Sequence, residues 1–209
     1  EAVDLPFPFM FYGEIYDTVY VHAHGHVTFV EPLVSHLHNR PIPNLDEPLA
    51  GIYPYWTDNL AWNFALGDPQ LLVDAAGEAG DRQFVIEWSN ISTGVLGTVT
   101  EIDFGIVLHE ATGEIVLQYR NLGDEPVVTG GRSTVGIENA TGTDAFQYSY
   151  NQPVLSDEHA IRFTPPPISM VTGTVTVRCS PRRPKTGWVP TWMTTYRSPS
   201  GPPRSPGTP

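Results

Sequence analysis

The sequence predicts an all-β protein: an antiparallel β-sandwich of jelly-roll-like form followed by a disordered C-terminal tail. Three observations lead there. Strand-like runs are short, rich in Val, Ile, Tyr, Phe and Thr, and punctuated by Gly, Pro, Asn and Asp. No window sustains a helical period. After Phe163 the alternation gives way to Pro, Ser and Arg. Many short antiparallel strands at this spacing bury their apolar faces by stacking as two sheets.

In chain order the strands are expected at Thr18–Ala23, His26–Val30, Gln83–Trp88, Val99–Leu108, Glu114–Tyr119, Ser133–Ile137, Phe146–Tyr150 and Ala160–Phe163. Each run carries β-branched or aromatic residues, and turn formers bound it. The stretch HEATGEIVLQY is a hairpin: one strand ends near His109, turns through Ala111-Thr112-Gly113, and returns with Ile115, Leu117 and Tyr119 on one face. Leu45–Leu49 and Asp74–Gly80 have room for at most a turn or two of helix. Residues 1–165 form the sandwich module. Residues 166–209 divide into a Pro-rich linker, the truncated start of a second module in ISMVTGTVTV, and a disordered basic tail.

The formal net charge is -12, unevenly placed. All 23 acidic residues precede Pro166, whereas six of the eleven Lys and Arg follow it. An acidic body argues against nucleic acid, whose binding depends on Lys and Arg neutralising phosphates. It suits a salty exterior or a protein that attracts cations. Cys179 is the single cysteine, so no intrachain disulfide is possible. No apolar run reaches transmembrane length, so no membrane partner is expected, and none reads as a signal peptide. The chain begins at Glu1 without a Met, which suggests removal of an upstream segment.

The segments LPFPFMFYG, YDTVYVHAHGHVTF, GIYPYWTDNL, FVIEWSNI, FGIVLHEATGEIVLQY and TVGIENATGTDAFQYSYNQPVLSDEHAIRFTP run in order across Leu5 to Pro165. Together they resemble a β-sandwich module found beside the catalytic domains of secreted bacterial subtilisin-like peptidases and in other surface proteins, distantly similar to nidogen-type extracellular domains. ISMVTGTVT looks like the start of a carboxypeptidase-regulatory-like repeat. The resemblance implies a secreted, bacterial, non-catalytic accessory sandwich, preceded by residues that this chain lacks. Where the family pattern resembles VYVSSNGYVTF, this chain has VYVHAHGHVTF. Histidines stand at 22, 24 and 26 in place of Ser, Asn and an aromatic. His109 likewise stands where the family usually has an aromatic.

These substitutions carry the chemical reading. On a continuous strand His22, His24 and His26 point the same way, with Cβ atoms about 6–7 Å apart. Two imidazoles at that spacing can share one ion, with Zn–N about 2.0–2.1 Å. Gly25 could tilt His26 through a bulge. His36 and His38 follow close enough to fold over the strand. Three imidazoles and an open position suit a catalytic zinc, although copper and nickel also accept imidazole. The competing reading is a solvated polar face, or adventitious binding of the kind a histidine tag shows. For a metal-activated water attacking a small-molecule ester or phosphoester, Asp58 and Glu31 are the candidate carboxylate bases. Asp58 reads equally as a turn carboxylate, and Glu31 as a strand-end acid.

Two functions from different classes follow: the expected one, on the site chemistry, is a zinc-dependent hydrolase on a secreted scaffold, and the alternative, on fold analogy, is a non-catalytic extracellular module binding protein, matrix or carbohydrate. Tyr53, Tyr55, Trp56 and Trp62 form an aromatic group better read as core than as a sugar platform. GIENATGTD reads as an ordinary turn rather than a calcium loop, and His109 and His159 are not expected to ligate. The sequence leaves the oligomeric state open.

Overall fold

The computed structural model describes residues 1–33, 38–46, 48–62, 68–95, 98–166 and 178–179, with backbone only at 94, 95, 98, 99, 178 and 179. Among the described residues twelve strands lie in chain order: β1 (Ala2–Phe11), β2 (Glu14–His22), β3 (His26–Thr28), β4 (Gly51–Trp56), β5 (Gln70–Ala76), β6 (Gln83–Val95), β7 (Thr98–His109), β8 (Ile115–Asn121), β9 (Thr134–Glu138), β10 (Ala145–Tyr150), β11 (His159–Thr164) and β12 (Arg178–Cys179). One helical turn, Val127–Gly131, precedes β9. Among the described residues no helix is long and apolar enough to cross a membrane.

The strands form two six-stranded antiparallel sheets. Sheet A has the order β1-β2-β3-β4-β9-β10, and sheet B the order β12-β11-β8-β7-β6-β5. Their facing sides enclose one core of alternating residues: Leu5, Phe7, Phe9 and Phe11 from β1, Ile102, Phe104, Ile106 and Leu108 from β7, and Ile115, Leu117 and Tyr119 from β8. The period of two that marked these runs in the sequence is the period that fills the core. The expected sandwich is present, and the HEATGEIVLQY hairpin closes where its glycine falls: Gly113 has φ +65° and its N–H donates to the His109 carbonyl at 2.9 Å.

Four strands escaped the sequence reading: β12, which lies in the stretch expected to be disordered, and three in the module, each for a local reason. β1 contains Pro6 and Pro8, which argue against a ladder; it is an edge strand, and its pairing with β2 breaks between Asp4 and Phe9. β4 contains Pro54 although it lies inside sheet A, and its register with β9 shifts between Tyr53 and Trp56. That irregularity changes the phase, so Ile52 and Tyr55 join the main core while Tyr53 and Trp56 pack on the other side with Ile42. β5 occupies an outer edge and is mostly exposed. Consequently Asp74–Ala76 is strand, not the turn of helix the sequence allowed. Of the expected linker and tail at 166–209, only Pro166 and β12 lie among the described residues.

Polar side chains tie the layers together. Arg82 bonds Glu110 through Nε at 2.8 Å and Nη2 at 2.6 Å, while its Nη1 donates to the Pro6 carbonyl on β1 at 2.5 Å. Tyr119 donates across the sandwich to the Pro54 carbonyl at 2.7 Å, and Tyr55 to the Val128 carbonyl at 2.9 Å. A buried phenol needs such an acceptor, and here each one fastens an irregular segment.

Candidate functional site

The histidine-rich stretch is the turn of a hairpin, not a continuous strand. β2 ends at His22, β3 begins at His26, and these two residues face each other as a cross-strand pair. Ala23, His24 and Gly25 form the turn between them. The expectation that His22, His24 and His26 share one strand face is therefore corrected. The physical reason is Gly25: its φ of +75° belongs to the left-handed region, which closes a three-residue hairpin loop and reverses the chain. A Cβ at this position would lie 2.4 Å from the Tyr55 carbonyl oxygen, so glycine is required by close approach as well. The turn is pinned to the end of β4, with Tyr55 N–H donating to Gly25 O at 3.1 Å and Thr57 N–H to His24 O at 3.2 Å. From sheet B, Trp88 Nε1 donates to the His22 carbonyl at 3.1 Å.

The side chains then follow separate fates. The His22 and His26 rings stack with centroids 4.4 Å apart and planes 10° apart. His26 is 2% exposed and lies against Trp56 and Tyr53 at centroid distances of 5.6 and 6.0 Å. A metal ion sits in the plane of the imidazole that binds it, along the nitrogen lone pair. Two parallel stacked rings cannot both place one ion in their planes at about 2.0–2.1 Å. The tautomer of His22 adds to this. Its Nε2 is 3.1 Å from Thr28 Oγ1, whose own proton goes to the Val30 carbonyl at 2.8 Å. The hydroxyl has one proton, so it accepts from His22 Nε2–H, and that nitrogen has no lone pair left for a metal.

His24, half-buried in the turn, has a buried Nδ1 with no hydrogen-bond partner among the described residues. His38 is mostly exposed, and its Nδ1 lies 2.8 Å from Asp58 Oδ2. Asp58, in the loop after β4, also has Arg132 Nη2 at 3.7 Å from its other oxygen. It is thus an orienting, charge-paired carboxylate rather than an unengaged base. Glu31 is exposed beyond the end of β3. His36 lies outside the described residues. Among the described residues no group of three or more His, Cys, Asp or Glu is arranged to hold a metal ion. The structure brings His22 to His26 and His38 to Asp58, but does not join the two pairs.

The remaining histidines belong to sheet B. His109 ends β7 and His159 begins β11, and burial pushes both imidazoles below their ordinary range. His159 lies between the Tyr119 and Tyr148 rings at 6.0 and 6.1 Å.

One functional group escaped the sequence reading altogether. Glu138, in the stretch read as an ordinary turn, is the last residue of β9 and is 1% exposed. Asn44 N–H donates to its Oε1 at 2.5 Å, and Tyr53 Oη lies 3.1 Å from its Oε2. Burial is the largest cause that pushes this carboxyl up to about 7. Its partners lie 94 and 85 residues away in sequence, Asn44 on the loop before β4 and Tyr53 on β4 itself, so no local pattern could have found it.

Comparison with known proteins gives one match. A family model described as NIDO related matches residues 1–175. No curated protein and no solved structure matches the chain.

Proposed function

This chain belongs to the NIDO-related family, and from that premise we propose that it is a non-catalytic extracellular module that binds a partner with a basic surface. The observation that carries the reading is how the histidines of the hairpin are engaged. His22 and His26 stack on each other, and the Nε2 proton of His22 is given to Thr28. The substitutions toward histidine thus serve the packing of a sandwich whose fold is that of an accessory module. The partner's charge follows from all 23 carboxylates lying before Pro166 against five basic residues there, a balance that steers cationic surfaces toward the sandwich. The location is that of the nidogen-like modules the family match points to, and secretion beside a bacterial subtilisin-like peptidase remains part of the same proposal.

Purified full-length chain tested against basic extracellular proteins should bind saturably, with affinity falling as salt rises. It should hydrolyse chromogenic esters and phosphoesters no faster with added zinc than with chelator. Zinc-dependent turnover abolished in His24→Ala would overturn the proposal.

A second reading, a zinc-dependent hydrolase, is favoured by one observation. Asp58 orients His38 through Nδ1 at 2.8 Å, as carboxylates orient metal-bound imidazoles, while the backbone of His24 is bonded next to it at Thr57. In that reading His24 and His38, with His36, would hold the zinc, and the bound ion would supply an activated water. His22 and His26 do not fit the ligand set.

A further inference from the structure

We propose that Glu138 is a proton-operated latch that holds the loop before β4 against the outer side of sheet A. Tyr53 Oη lies 2.5 Å from the Pro48 carbonyl and 3.1 Å from Glu138 Oε2. A phenol has one proton, and a carbonyl can only accept. An ionised Glu138 leaves the two acceptors sharing that proton in a three-centre bond, whereas a neutral acid gives each contact a proton of its own. Its Oε2–H then donates to Tyr53 Oη, and Tyr53 donates to Pro48 O. At the other oxygen, Oε1 accepts from Asn44 N–H at 2.5 Å. One carboxylic acid therefore fastens the loop at both Asn44 and Pro48.

Ionisation removes the proton the relay needs. Oε2 and the Pro48 carbonyl then share the single Tyr53 proton, and each buried acceptor is held more weakly. The surroundings do not compensate the charge. From β4, Tyr53 faces Glu138; from the β1–β2 turn comes Tyr12, whose phenol burial, Asp144 and Glu138 push upward. Arg40, the loop's own cation, is paired with Asp46 at 2.8 Å. Glu47, beside Pro48, lies outside the described residues. Burial pushes the carboxyl up, the bonds from Asn44 and Tyr53 pull it part of the way back, and the transition falls near pH 7. The latch covers something specific. Ile42, Tyr53 and Trp56 form a separate buried cluster on this outer side, and the loop supplies Ile42. Release loosens the loop at Asn44 and Pro48 beside Tyr53, while Ile42 N–H stays bonded to Gln147 Oε1 at 2.9 Å and keeps its place on the rings.

Two measurements on the full chain test this. Infrared difference spectra between wild type and Glu138→Gln at pH 6 should show a protonated carboxylic acid band that belongs to Glu138. Hydrogen exchange at the Asn44 amide, corrected for intrinsic rates, should lose protection about tenfold between pH 5 and pH 6, as the latched-to-released ratio falls with each unit, and level off above the midpoint. Glu138→Gln keeps the same donor pattern without a titrating proton and should hold constant protection across that range, with circular dichroism confirming its fold. An ionised Glu138 at pH 6, or equal pH dependence in wild type and Glu138→Gln, would overturn the latch.

Discussion

Replacing Gly25 with Ala separates a hairpin turn from a continuous strand more sharply than any change to the histidines themselves. The backbone there has φ +75°, and an alanine held in the left-handed region costs about 1–2 kcal/mol. The added Cβ would also meet Tyr55 O at 2.4 Å, Leu60 Cδ1 at 3.0 Å and Phe104 Cζ at 3.1 Å. Relieving the first collision moves the turn away from β4 and loosens Tyr55 N–H to Gly25 O and Thr57 N–H to His24 O. Each such bond contributes about 0.5–1.5 kcal/mol. Strain and lost bonds together give a destabilisation of about 2–5 kcal/mol. Gly80 supplies the control: its φ is +93°, but a Cβ there meets nothing within 4 Å. Gly80→Ala should therefore show the backbone strain alone, about 1–2 kcal/mol. Urea unfolding of the three proteins, followed by tryptophan fluorescence, reads the difference as a shift in midpoint at constant slope. If Gly25 sat in a regular strand, alanine would stabilise by about 0.5–1 kcal/mol. A Gly25→Ala protein as stable as wild type refutes the turn.

Two further outcomes follow from titrating groups. His159 is buried and its folded-state pKa lies below its ordinary value, so the unfolded chain binds protons more readily. Its contribution to stability is complete above the unfolded value and falls away as pH drops from about 6.5 toward the folded one; urea midpoints between pH 7 and 5 should flatten in His159→Gln. Glu110 is the acidic counterpart. Its bonds to Arg82 are the largest cause holding its carboxyl down to about 2. The stability it supplies is present above the ordinary carboxylate value and lost as pH falls toward 2, so Arg82→Gln should raise the pH midpoint of acid unfolding. An unchanged acid midpoint in that variant contradicts the clamp between β1 and the β7–β8 turn.

The regular parts of the fold were legible because alternation and packing agree. The β7–β8 hairpin shows this best: Ile115, Leu117 and Tyr119 face inward as their spacing requires, and Gly113 takes the turn. Where proline or an edge position broke the agreement, at β1, β4 and β5, tertiary pairing decided instead. The candidate site was legible as composition but not as geometry. Five histidines within seventeen residues announce themselves, yet whether Gly25 continues or reverses the chain depends on Tyr55, thirty positions away. That one glycine changes His22 and His26 from same-strand neighbours into a stacked cross-strand pair. Arg132 beside Asp58, and Asn44 and Tyr53 around Glu138, are joined only by the order of strands in sheet A.

The central claim is that the hairpin histidines pack the module rather than build a metal centre, and zinc titration calorimetry of the untagged, chelator-stripped full chain tests it most directly. The account predicts no one-to-one site at or below about 1 μM, and the same titration for wild type, His24→Ala and His38→Ala. A single tighter site, present in wild type and lost in both variants, would contradict it.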